Sequence, residues 1–158
     1  MVSPELLNSL MSEALVQAQK AASIGEVPVG AVFYYDNQII AAQHNLIETN
    51  KDASAHAEML VMREAAAQLG DWRLEKGILC VTLEPCTMCS GAIRLSRVGT
   101  LVFGASDPRL GAVGSLFNIC ADPRLGALPR VIQGIRDVEC GSLLSTFFST
   151  IRASSIVK

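Results

Sequence analysis

Leu6, Leu7, Leu10, Met11, Ala14, Leu15, Ala18 and Ala22 recur at intervals of three and four, the spacing of one face of an amphipathic helix. Ser3-Pro4-Glu5 supplies its start, with proline at the first helical position, so the pattern predicts a helix over 4–23. The period then changes. Residues 29–35 and 38–43 are β-rich runs separated by Asp36 and Asn37, a two-residue hairpin signal that lacks the usual glycine. A polar stretch over 48–54 leads into 55–69, rich in Ala, Met, Leu and Glu and stopped at Gly70, which predicts a second helix.

Residues 78–83 form an apolar run of the kind found in strands buried on both faces, and Pro85 ends it. The spacing predicts a third helix over 86–96, a buried strand over 98–103 closed by Gly104, and a last helix over 138–152 with Leu143, Leu144, Phe147, Phe148 and Ile151 on one face. The region between Gly104 and Val138 has no clear period. Strands alternating with helices after an opening hairpin imply an α/β fold: a three-layer αβα sandwich with a mixed central sheet. Within the aperiodic region, Asp107-Pro108-Arg109-Leu110-Gly111-Ala112 recurs as Asp122-Pro123-Arg124-Leu125-Gly126-Ala127, which reads as two similar turns.

The chain has 158 residues, 50% of them hydrophobic and 18% charged, enough for one domain over 1–158 to fold on its own core. That composition excludes intrinsic disorder. The longest uncharged apolar stretch, Cys140 to Ile151, is 12 residues, short of the roughly 20 that cross a bilayer. Glu5, Glu13 and Lys20 at helical spacing do not read as a secretory signal, and the expectation is a cytoplasmic protein without a membrane span. Lys+Arg 13 against Asp+Glu 15 gives a net charge of -2, which argues against broad, sequence-independent nucleic-acid binding but leaves room for a local basic patch. Arg94, Arg97, Arg109, Arg124 and Arg152 are candidates for one. Five cysteines, an odd number, point away from a disulfide framework and toward metal or catalytic use of some.

The candidate chemistry lies in His56-Ala57-Glu58 and Pro85-Cys86-Thr87-Met88-Cys89, with 29 residues between His56 and Cys86. Two thiolates and an imidazole suit zinc. A fourth ligand is hard to find, since His44 is the only other histidine and Cys80 falls in a buried strand, so the count favours an open, catalytic site over a closed structural one. Cys86 and His56 each open a helix, where backbone N–H groups favour thiolate and oxyanion. Glu58 reaches the same site only if both it and His56 lie in the open first turn, because positions i and i+2 of a regular helix diverge. A carboxylate beside a zinc-activated water suits hydrolytic deamination, with Glu58 shuttling protons. His44 reads as a solvent-facing strand residue, Trp72 as a loop or interface anchor, and Cys80, Cys120 and Cys140 as small buried thiols.

With H-x-E and P-C-x-x-C in place, the chain resembles the zinc-dependent cytidine-deaminase superfamily. Within it the sequence is most similar to bacterial tRNA adenosine deaminases of the TadA type. The resemblance runs through Glu26-Val27-Pro28-Val29-Gly30-Ala31-Val32, Asn45, the segment from Val81 to Cys89, Val102-Phe103-Gly104-Ala105, Gly111-Ala112-Val113-Gly114-Ser115 and Leu143-Leu144-Ser145-Thr146-Phe147-Phe148. It implies a cytidine-deaminase-like fold and a homodimer converting adenosine to inosine at the wobble position of a tRNA anticodon stem-loop, with arginine tRNA the expected substrate. It further implies that His56, Cys86 and Cys89 bind one Zn2+ per subunit and that Glu58 is catalytic. Asn45, Val29, Asp107 and the backbone N–H of Cys86 would contact substrate. The family's Asn-His-Arg triplet near the start of the last strand is replaced here by Gly126, Ala127 and Leu128, and the C-terminal segment 151–158 carries little charge. Two alternatives stand beside this reading: a deaminase of a free nucleobase or nucleoside of guanine or cytosine type, and a non-catalytic zinc-dependent partner subunit.

Overall fold

The computed structural model describes residues 2–156. Helix α1 runs Pro4–Ser23, with the Ser3 hydroxyl accepting the Leu6 N–H at its start. Strands β1 (Gly30–Tyr35) and β2 (Gln38–His44) form the hairpin. Asp36 and Asn37 both take left-handed backbone, φ 48° and 62°, the geometry of a type I′ turn reached without glycine. A short helix α2 (Ile47–Asn50), which the polar 48–54 stretch did not suggest, precedes α3 (Ala57–Leu69), whose left-handed end is Gly70. Then follow β3 (Ile78–Leu83), α4 (Thr87–Leu95), β4 (Thr100–Ala105), β5 (Arg130–Gln133) and α5 (Asp137–Ile156).

The five strands are ordered β2-β1-β3-β4-β5; β1 is antiparallel to both its neighbours, and β3, β4 and β5 are parallel. The sheet is therefore mixed, as the hairpin implied. Side-chain alternation sorts its two faces. Ala31, Phe33, Leu79, Val81, Leu101 and Phe103 pack with Val61 of α3 and Ile93 of α4, while Val32, Cys80 and Val102 pack with Leu10 and Met11 of α1 and Cys140 of α5. Phe33 and Phe103 are almost fully enclosed; burying a side chain of this size contributes about 1.5–3 kcal/mol.

Three differences from the sequence pattern have physical causes. Gly104 does not close β4 but lies inside it, because Cys140 of α5 presses on the strand where a Cβ would collide with its sulfur. Gly30 begins β1, one residue after Val29, and its missing Cβ admits the backbone of α1 at Ala14. Strand β5 is four residues long on the sheet edge with mostly exposed side chains, so it carries no hydrophobic signature. No helix is long and apolar enough to cross a membrane among the described residues. Val157 and Lys158, the end of the charge-poor tail, lie outside the described residues.

Candidate active site

Residues 84–89 turn the end of β3 directly into α4. Cys86 is the N-cap of α4 and His56 the N-cap of α3, both with extended backbone. Their side chains are therefore freed from the helical direction, and this resolves the demand on Glu58: it sits in the first turn of α3 while His56 stands outside the helix proper. Nδ1 of His56 is 3.7 Å from Sγ of Cys86 and 3.5 Å from Sγ of Cys89. Tetrahedral zinc with its ordinary bond lengths sets sulfur and nitrogen ligands about 3.6 Å apart. The donor set thus fits the ion in chemistry and spacing, and all three ligand atoms lie within 4.8 Å of one another.

The two sulfurs are coupled. Hydrogen bonding with Cys89 holds the Cys86 thiol down to about 4, against burial and with help from His56, while the same bond and burial push Cys89 up. His56 is raised by its hydrogen bond to Cys86. Glu58, 4% exposed, has its carboxyl pushed up to about 7 by burial, against smaller lowering effects from its backbone hydrogen bond and His56.

A cavity of about 780 Å³ opens over these groups. Val29, Asn45, His56, Glu58, Cys86 and Asp107 all line it, so every side chain expected to meet substrate, metal or proton faces one space except Cys89, which is completely buried. The opposite wall is the segment Ser106 to Leu110, and α5 contributes Leu144, Phe148 and Arg152.

Two buried carboxylates that the residue pattern gave no role fix these walls. Glu26, 1% exposed, accepts from Asn45 Nδ2 (3.2 Å), the N–H of Glu48 (3.3 Å), and the N–H and hydroxyl of Thr49 (2.6 and 2.8 Å). Glu84, 3% exposed, accepts from the N–H groups of Asp107, Val113 and Ser115 at 2.9–3.0 Å and from the Ser115 hydroxyl. Burial raises each carboxyl, but these hydrogen bonds outweigh it and both are held below the usual carboxylate range. Asp107 itself accepts the N–H groups of Arg109 and Leu110, and Asp122 accepts that of Arg124, so both copies of the hexapeptide open on an aspartate-capped turn, but the second continues as a 3-10 helix over Pro123–Leu125 and only its Gly126 has positive φ.

The five arginines separate sharply. Arg94 is 5% exposed and donates to the carbonyls of Ile119, Cys120 and Gly126, which corrects its reading as part of a phosphate path: it is an internal clamp on the segment before β5. Arg97 pairs with Glu75 and Arg124 with Asp122. Arg109 and Arg152 line the cavity, and neither has an ion-pair partner among the described residues. His44 is half-buried against the Asn45 carbonyl and does not line the cavity. Trp72, 51% exposed, stacks with Arg73 and Arg97, 4.4 and 5.5 Å from its ring centroid. Cys80, Cys120 and Cys140 are buried free thiols. Gly126, Ala127 and Leu128 are absent from the cavity lining.

Residues 4–105 match the family model of the cytidine and deoxycytidylate deaminase zinc-binding region. The tRNA-specific adenosine deaminase of Bacillus subtilis (strain 168) is 51% identical over 142 residues, covering 90% of this chain and 88% of that protein. A solved structure from a study of A-to-I editing by tRNA:A34 deaminases at the wobble position of transfer RNA superposes with a TM-score of 0.83 at 41% identity, over 86% of this chain and 99% of that one. A guanine deaminase from Nitrosomonas europaea superposes with a TM-score of 0.73 over 93% of this chain and 85% of its own, at 22% identity, a likeness of fold.

Proposed function

This chain belongs to the cytidine and deoxycytidylate deaminase family, among the tRNA-specific adenosine deaminases, and on that footing we propose that it converts adenosine to inosine at the wobble position of a tRNA anticodon, with an arginine tRNA as substrate. The observation that carries the reading is the buried carboxyl of Glu58 opening onto the same cavity as His56, Cys86 and Asn45. His56, Cys86 and Cys89 would hold a zinc ion, which when bound would supply Lewis-acid activation of water. Glu58 takes a proton from the attacking water and delivers it to N1 of the purine, then takes the proton of the hydroxyl now on C6 and delivers it to the amine as the C6–N bond breaks and C6=O forms, so that adenosine and water give inosine and ammonia. A carboxyl held up to about 7 can accept and return a proton near neutrality. The Cys86 N–H stands at the start of α4, where it would donate to the oxygen that gains negative charge at C6. Asn45 and Val29 hold the base, and Asp107 borders the target nucleotide.

Arg109 and Arg152, which line the cavity, supply phosphate contacts in a chain that is acidic overall. The cavity lies in the upper part of the roughly 300–1,000 Å³ range of sites for whole drug-sized ligands, more than a lone base requires. Leu95, Leu116, Phe117, Leu125 and Leu128 are exposed by 52–79% on α4 and the segment that Arg94 ties to it, and this apolar surface is where we place the contact of a homodimer. The presence of Glu58 speaks against a non-catalytic partner subunit, which needs no proton carrier.

The test is inosine formation by zinc-loaded protein on an arginine tRNA with adenosine at the wobble position, beside free adenosine, cytidine, cytosine and guanine. Reaction of the tRNA alone is expected; reaction of a free base or nucleoside in its place transfers the assignment. Sedimentation at micromolar concentration tests the dimer.

A further inference from the structure

Glu26 has an unusual set of partners. It is a carboxylate of 1% exposure with no arginine or lysine bonded to it among the described residues, and its hydrogen-bond donors, from Asn45 to Thr49, belong to one five-residue segment. Helix α2 has Leu46 at its N-cap and no side-chain cap of its own, and the Glu26 carboxylate does that work from a distance of more than twenty residues in sequence. Of its other two hydrogen bonds, one comes from the Thr49 hydroxyl and the other from a side chain that lines the cavity beside Glu58, the carboxamide of Asn45.

A carboxamide has a donor end and an acceptor end of nearly identical shape, and it presents the wrong one as easily as the right one unless a neighbour decides. A carboxylate only accepts, so Glu26 compels the NH2 group of Asn45 to face it. We propose that Glu26 is a positioning residue for base recognition: by taking one hydrogen of the Asn45 NH2, it fixes the carboxamide so that its other N–H and its carbonyl oxygen are presented to the purine in a single orientation. The inference rests on the reading of Asn45 as a base contact. The lack of a bonded arginine or lysine is part of the design, because such a cation would compete for the carboxylate and offer Asn45 a second position.

Glu26→Gln keeps the shape and removes the compulsion. Gln offers one acceptor oxygen where the carboxylate offers two, and its own NH2 must face one of the N–H donors or the NH2 of Asn45. Loss of alignment weakens binding of the base before and during the reaction alike, so KM rises while kcat holds. The experiment is a double-mutant cycle on zinc-loaded full-length protein with a wobble-adenosine stem-loop, comparing wild type, Glu26→Gln, Asn45→Ala and the double variant, with zinc content and Tm recorded for each.

Glu26→Gln is expected to raise KM by about ten-fold or more and to add less than about two-fold once Asn45 is alanine. An equal cost in both backgrounds overturns the proposal and leaves Glu26 a purely structural cap. A second arm does not depend on Glu26→Gln folding or on the substrate assignment: in wild type, assigned by its loss in Asn45→Ala, the Asn45 side-chain NH2 should show one hydrogen shifted strongly downfield and protected from exchange in NMR spectra. Two hydrogens at ordinary carboxamide shifts, both unprotected from exchange, overturn the proposal. Wild type that leaves the stem-loop unreacted disproves the wobble-adenosine reading instead, and the NMR arm still decides whether Glu26 fixes the Asn45 carboxamide.

Discussion

Sγ of Cys89 lies 3.5 Å from Nδ1 of His56, although the two residues are 33 apart in sequence and belong to different helices. Metal binding therefore joins α3 to α4. At zinc a thousand-fold above its Kd, ligation adds about 4 kcal/mol to stability, which in a chain of this length corresponds to a Tm shift of roughly 8–16 °C. Chelation should lower Tm by that amount and abolish turnover together, as read by calorimetry and inosine assay; an unmoved Tm would show that the site binds no metal under those conditions.

Glu58→Gln should give folded protein with its full zinc content and a kcat reduced by about 10²–10⁴-fold, the range for loss of a general acid and base. Metal analysis alongside single-turnover kinetics distinguishes this from loss of the site. Near-wild-type turnover would remove Glu58 from the proton path.

Arg109→Ala and Arg152→Ala should weaken tRNA binding without altering zinc content. Removing one guanidinium from a phosphate of single-stranded RNA lowers the slope of log K against log salt by about 0.7. A slope that stays constant in both variants would mean that these guanidinium groups do not meet the backbone.

Glu26 and Glu84 both have folded-state carboxyls below their unfolded values, through hydrogen bonds that outweigh burial. Their contribution to stability is therefore complete above the unfolded carboxylate pKa of roughly 4.5 and is lost as pH falls through the depressed folded values. Wild-type Tm should drop on acidification below that point more steeply than the Tm of Glu84→Gln. Parallel acid limbs would contradict the assignment.

Arg94 donates to three carbonyls on the segment between β4 and β5. Lysine cannot reproduce that fork, and Arg94→Lys should cost about 1.5–3 kcal/mol, with faster amide exchange confined to the region around residues 119–126. Uniform acceleration over the whole chain would instead indicate global destabilisation.

The helical face of α1, the hairpin and the two zinc motifs are legible because each is local: Leu6 to Ala22 repeat within one helix, Asp36-Asn37 is its own turn, and Pro85 to Cys89 lie together in sequence. Strand β5 is invisible for the opposite reason, since its residues are mostly exposed and its partner is β4. Glu26 and Glu84 were legible only as parts of a resemblance. Their role depends on donors 19–31 residues away, and a signal for them would have been two glutamates flanked by apolar and β-forming residues with no cation at helical or cross-strand spacing. Arg94 misled because an arginine on a short helix normally faces solvent; here its guanidinium turns inward, toward carbonyls 25–32 residues further along the chain.

Gly104 gives β4 a place without a side chain, and Cys140 of α5 occupies it. The same helix carries Leu144, Phe148 and Arg152 over the cavity, so the height of the cavity's ceiling is set from the far face of the sheet, by a residue that touches neither metal nor base. A methyl group added there would collide with the Cys140 sulfur and crowd the Thr82 carbonyl, so the seat of α5 on the sheet depends on the bare backbone of Gly104.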